Sequence, residues 1–195
     1  MLVWRKGVFC LEAEWFGLNC PISVRPALEF LSACDYLIPT IFRDVATAAE
    51  LRHYLRKWLL ARHEQYPILW LSIHTRRGLL LPGDIRRPEE KISLDQLEEW
   101  LAGKCAGRII HFGGCRTLDL SRSRIARFLR VTKAAGVSGF CAEVDWAENT
   151  LFEMEYFVAL QRERMNAKGL ARVKRRLRAE HGVMARRMGF VLHVR

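Results

Sequence analysis

The 195-residue chain has no apolar run near the ~20 residues that a membrane-spanning helix requires. Its first ten residues, M-L-V-W-R-K-G-V-F-C, lack the basic segment, apolar segment and cleavage site of a secretory signal. A cytoplasmic protein with no membrane partner is the resulting expectation. The six cysteines, at 10, 20, 34, 105, 115 and 141, include no C-x-x-C pair, so neither a zinc site nor a disulfide framework is indicated. No metal and no organic cofactor is expected. Dinucleotide (G-x-G-x-x-G), phosphate-loop (G-x-x-x-x-G-K-[ST]) and zinc-peptidase (H-E-x-x-H) fingerprints are all missing, as are internal repeats and low-complexity linkers.

What is present is an ordinary globular composition, half apolar and about a quarter charged. The net charge of +11 is unevenly placed. From Gln161 to Arg195 eleven Lys and Arg residues face only Glu163 and Glu180, whereas the first 160 residues are close to balanced. The division expected is a body over 1–160 and a basic C-terminal helix with a short strand over 161–195, packed on the same domain.

Short apolar runs alternate with amphipathic stretches. Strands are expected over residues 8–11, 37–42, 68–73, 107–112, 137–144 and 190–194. Helices are expected over 23–34, from Thr47 through Leu59, over 94–102, from Ser121 or Ser123 to about Gly136, over 146–164, and over 170–188. Ser93 and Gln96 form a capping box, and Pro26 suits a first helical turn. Residues 75–92 read as a functional loop or a small hairpin. Strands alternating with helices imply an α/β three-layer sandwich with a mostly parallel sheet.

Two of these runs end in reactive side chains. Ile68–Ile73 leads into His74, and Ile109–Phe112 stops at Gly113-Gly114 and is followed by Cys115. The carboxyl ends of parallel strands are where ligands and catalytic groups sit. Cys115 is therefore read as a thiolate nucleophile and His74 as its acid–base partner. The alternative is a buried thiol and a hydrogen-bonded loop histidine. His111 could serve as a base or ligand, but on a central strand it is better read as packed into a helix interface.

The order strand–His74, strand–Gly113-Gly114-Cys115-Arg116-Thr117, then strand–Glu143-Val144-Asp145-Trp146 before a helix, resembles the caspase-like fold, and most of all the CHAT group of caspase-like peptidases. The G-G-C-R-T run partly echoes the caspase Q-A-C-R-G signature, and His74 lies 41 residues upstream of Cys115 against about 50 in caspases. The resemblance covers roughly residues 8–160. It implies a cysteine endopeptidase acting on a protein partner, as in bacterial stress or defence responses. The backbone N–H groups of Cys115 and Thr75 would form the oxyanion hole, although the family usually carries Gly where this chain has Thr75. Gly113, Gly114, Arg116, Glu143 and Asp145 would contact substrate. The two carboxylates favour cleavage after a basic residue, against the pull of Arg76, Arg77 and Arg116; the alternative is that they cap the helix starting at Trp146, which is the plainer account of Asp145. The alternative function is an inactive caspase-like binding or scaffold domain whose basic helix, through Lys174, Arg175, Arg176 and Arg178, holds nucleic acid.

Overall fold

The computed structural model describes residues 5–17, 19–84 and 86–195. The first strand, β1 (Val8–Glu12), is buried along its whole length. Helix α1 (Arg25–Ala33) follows, with Pro26 in its first turn, where a missing N–H costs no helical bond. Strand β2 (Thr40–Asp44) starts three residues later than its apolar pattern suggests. Leu37 adopts a left-handed φ of 46°, and the Pro39 carbonyl is taken by the Val8 N–H, so extended pairing begins only after the proline.

Helix α2 (Ala48–Trp58) is capped by the Thr47 hydroxyl, which accepts from the Glu50 N–H. Strand β3 (Ile68–Ser72) is again fully buried. Beyond it, β4 (Thr75–Arg76), β5 (Leu79–Leu80) and β6 (Ile92–Ser93) make a small antiparallel sheet, so residues 75–92 are more than a loop. Ser93 and Gln96 form the expected capping box on α3 (Leu94–Leu101). Strand β7 (Ile109–Phe112) leads to α4 (Arg122–Thr132), capped by Ser121.

Strand β8 (Gly136–Phe140) is shorter than its apolar run, because its ladder with β9 ends at Phe140. Residues 141–145 therefore leave the sheet before α5 (Trp146–Gln161). The basic segment forms two helices where one was expected, α6 (Ala167–Glu180) and α7 (Gly182–Arg187). The break falls at His181 and Gly182, and glycine is a poor helix former. Strand β9 (Phe190–Val194) closes the order.

The main sheet runs β2-β1-β3-β7-β8-β9, with the first five strands parallel and β9 antiparallel to β8. Alternation along each strand splits the core. Phe9, Leu11, Leu69, Leu71, Ile110 and Phe112 pack on α2, α3 and α4, while Val8, Cys10, Ile68, Trp70 and Ile109 pack on α1, α5 and α6. Each such side chain stabilises the fold by roughly 1.5–3 kcal/mol. This is a three-layer α/β sandwich. The basic C-terminal segment is integral to it, since Leu170, Val173 and Leu177 of α6 lie in the second core.

Candidate functional site

Strands β1, β3 and β7 are neighbours and parallel, so the segments leaving their carboxyl ends emerge side by side. In the β3–β7 register Leu71 faces Phe112. His74 and Cys115 each lie three residues beyond that pair, at the same edge of the sheet. A polar chain joins the two segments. The Thr75 hydroxyl donates to the Cys115 carbonyl (2.6 Å), and the Thr117 hydroxyl donates to Thr75 Oγ1 (2.7 Å). Gly114 permits this approach: a Cβ there would overlap the Ile73 carbonyl and the Thr75 side chain.

The His74 ring is held from the third strand end. Its Nε2 donates to the Trp15 carbonyl in the loop after β1, and its ring packs edge-on against Trp15 at 4.7 Å and Phe16 at 5.8 Å. A carbonyl only accepts, so the proton of neutral His74 sits on Nε2 and the free lone pair on Nδ1. Glu12, buried at the end of β1, anchors that loop. Its carboxylate accepts from Trp15 Nε1 (2.8 Å), the Ser23 hydroxyl (2.5 Å) and the Val24 N–H (2.9 Å).

The Cys115 sulfur is half-buried under residues 141–145. The Val144 N–H donates to Sγ (3.5 Å), and the thiol reaches the Val144 carbonyl at 3.9 Å. No hydrogen bond joins Sγ to the His74 ring among the described residues. Sγ and the ring line adjoining clefts of about 600 Å³ each, which share Thr75 and Arg76. Burial raises the Cys10 and Cys141 thiols above the ordinary value and pushes Cys105 up to about 12.

Two backbone N–H groups beside these strand ends make no ladder bond. The Cys115 N–H has no acceptor among the described residues. Leu81 N–H bonds the His74 carbonyl (2.9 Å), so in the antiparallel alternation the next pair, Thr75–Leu80, is the non-bonded kind and turns the Thr75 N–H outward.

Beneath the Gly113-Gly114 turn lies a buried polar network. Glu153 Oε1 accepts from Trp70 Nε1 (3.0 Å) and His111 Nε2 (2.7 Å), and the Ser138 hydroxyl meets His111 Nδ1 (2.9 Å). Burial lowers His111 to about 3 and raises Glu153 well above the ordinary carboxylate value. Asn149 Nδ2 donates to the Gly113 carbonyl (2.9 Å). His111 is thus packed in the helix interface, as its central-strand position suggests.

Several expected substrate contacts are placed differently. Gly113 and Gly114 are buried, and a Cβ on Gly113 would meet Glu153 Oε1 and Trp70 Nε1 at 2.8 Å, so both glycines shape the turn rather than touch the cleft. Asp145 caps α5, accepting from the Ala147 and Glu148 N–H groups at 3.0 Å each, and is absent from the cleft lining. Arg116 and Glu143 do line it. Arg116 is paired with Asp119 (3.0 Å), whose carboxylate holds the guanidinium pKa up. A strand running on through residue 145 would turn Glu143 and Asp145 to one face by alternation, but β8 ends at Phe140.

On the basic segment, Lys174 Nζ donates to the Leu192 carbonyl (3.3 Å) and Arg176 pairs with Glu180 (2.9 Å). Arg175 and Arg178 form no ion pair among the described residues. No group of three His, Cys, Asp or Glu side chains among the described residues is placed to hold a metal ion. None of the helices there is long and apolar enough to cross a membrane.

Trp15, Glu12, Val144 and Asn149 were not legible as site residues. The one local signal was an acidic residue, Glu12, closing an otherwise apolar strand.

The sequence model described as "Family of unknown function (DUF6642)" matches residues 5–194, and the chain belongs to that family. No curated protein matches it.

Proposed function

We propose that this member of the DUF6642 family is a caspase-like cysteine endopeptidase using Cys115 and His74. The observation that carries the reading is the equal offset of the two residues from the β3–β7 pair, with Thr75 joining their segments.

In the proposed reaction His74 Nδ1 takes the Cys115 thiol proton through a water or the substrate amide, since Sγ and the ring are not bonded directly. The thiolate attacks the peptide carbonyl carbon. The N–H groups of Cys115 and Thr75 receive the oxyanion, a contribution commonly of ~3 kcal/mol per donor. His74 Nδ1 then returns its proton to the leaving amine, and the amine departs as the acyl–sulfur bond is left. Water, deprotonated by the same Nδ1, hydrolyses the thioester and regenerates the thiol. Nε2–H stays on the Trp15 carbonyl throughout, fixing the ring as the buried carboxylate does in a serine-protease triad.

The thiols are unpaired in the structure, and a reducing compartment such as the cytoplasm suits them. The test is cleavage of a denatured-proteome peptide library by wild type, Cys115→Ala and His74→Ala, with iodoacetamide labelling mapped on the native protein. Cleavage lost in both variants, with Cys115 labelled before Cys20 and Cys34, supports the peptidase. No cleavage by wild type and no preference for Cys115 would leave the inactive binding-domain reading.

A further inference from the structure

Strand β9 pairs with β8 alone and forms one edge of the main sheet. The Cys141 N–H donates to the Gly189 carbonyl (3.0 Å) and the Arg195 N–H to the Ala135 carbonyl (3.2 Å). Alternation in an antiparallel pair then assigns Val191 and His193 to the β8 ladder as well. The N–H and C=O groups of Phe190, Leu192 and Val194 point the other way, off the sheet. Among the described residues the only group that meets them is Lys174 Nζ, on the Leu192 carbonyl.

Beside this edge lies a cleft of about 310 Å³ between α6, α7 and β9. Leu177, Ala185 and Phe190 give it an apolar floor, and Lys174, Arg178 and Arg186 surround it. None of these three cations pairs with a carboxylate among the described residues, whereas their neighbours Arg172, Arg176 and Arg187 do.

We propose that the β9 edge and this cleft bind an extended acidic segment of a partner protein, added to the sheet as one further strand. The orphan backbone groups supply the ladder that strand addition uses. All three cations stand on the α6–α7 face, and residues two apart on a strand share a face. The segment that fits therefore carries acid, apolar and acid at alternate positions, the apolar side chain entering the cleft. Its first carboxylate draws Lys174 from the Leu192 carbonyl, freeing that acceptor for the incoming amide. A second copy of this chain is disfavoured because it would set Lys174, Arg178 and Arg186 against themselves. A nucleic acid would use the cations but neither the apolar floor nor the backbone ladder.

The experiment is fluorescence anisotropy of the full chain with a labelled ten-residue peptide of that alternating pattern. Two further peptides carry backbone N-methyl groups at all even or all odd amides. The expected result is binding that weakens as salt rises, falls at least about tenfold in Arg178→Glu with Arg186→Glu, and is lost with methylation of one parity only. The methylated peptides leave the protein untouched, so a folding defect in the double variant cannot imitate that result. No binding up to about 1 mM, equal loss with both parities, or self-association of the chain blocked by the same double variant would overturn the proposal. So would tighter, salt-sensitive binding of an RNA or DNA oligonucleotide to the same face.

Discussion

The Thr75 hydroxyl donates to the Cys115 carbonyl at 2.6 Å, tying the segment that follows His74 to the turn that carries the thiol. Thr75→Val keeps the shape and removes the donor, leaving a part-buried carbonyl without its side-chain partner. A loss of ~1–2 kcal/mol is expected, seen as a thermal midpoint lower by about 2–8 °C for a chain of this size. The proposed peptide cleavage should fall with it, and Thr75→Ser should restore both. An unchanged midpoint in Thr75→Val would show that this bond does not hold the two segments together.

Gly114→Ala should be far more damaging than Gly103→Ala. The Cβ at Gly114 overlaps the Ile73 carbonyl, which is backbone and cannot swing aside, whereas Gly103 has open space around it. Overpacking costs ~1–3 kcal/mol or more, while Gly103→Ala carries only the strain of its φ of 73°, about 1–2 kcal/mol. Urea unfolding of the two variants checks the order. Equal costs would mean that the turn yields to the added methyl.

The His111–Glu153 pair sets a pH profile of defined sign. In the unfolded chain His111 gains its proton below its ordinary value of 6.5 and Glu153 loses its own above 4.5. In the folded protein burial lowers His111 to about 3 and raises Glu153 well above its ordinary value, so the proton that the unfolded pair carries on His111 sits on Glu153 instead. Each state then carries one proton on the pair, so its contribution to stability is flat from pH 4.5 to 6.5. Below 4.5 the unfolded pair binds more protons and the contribution falls with acidification. As pH rises towards the folded Glu153 value the folded pair binds more, and the contribution falls.

Each partner's removal exposes the other. His111→Gln should make stability decline with rising pH between 4.5 and 6.5, and Glu153→Gln should make it increase there. Both slopes have a limit of ~1.4 kcal/mol per pH unit. Denaturant titrations at four pH values read this directly. Slopes of the same sign in the two variants would contradict the pairing.

Glu143 and Asp145 should separate cleanly. Asp145→Ala removes the α5 cap and should cost ~1 kcal/mol without altering which bonds are cut. Glu143→Ala should leave stability nearly unchanged and weaken cleavage after Arg and Lys, since Glu143 is the carboxylate lining the Cys115 cleft. Cleavage after Asp in the wild type would instead assign the selectivity to Arg76, Arg77 and Arg116.

By itself the sequence determined what depends on neighbours along the chain. Short apolar runs placed β3 and β7, the 3.6-residue pattern placed α2, and the caps at Thr47 and Ser93 fixed helix starts because each bond spans only three residues. Strand ends bearing His74 and Cys115 were legible for the same reason, and so was the basic C-terminal stretch. Tertiary structure alone decided what joins residues far apart. The Trp15 carbonyl meets His74 across 59 residues, Val144 covers Cys115 from 29 residues away, and Glu153 meets Trp70 across 83. Whether Glu143 and Asp145 share a face was likewise decided by where the β8 ladder ran out of partners, which no pattern within residues 137–145 records.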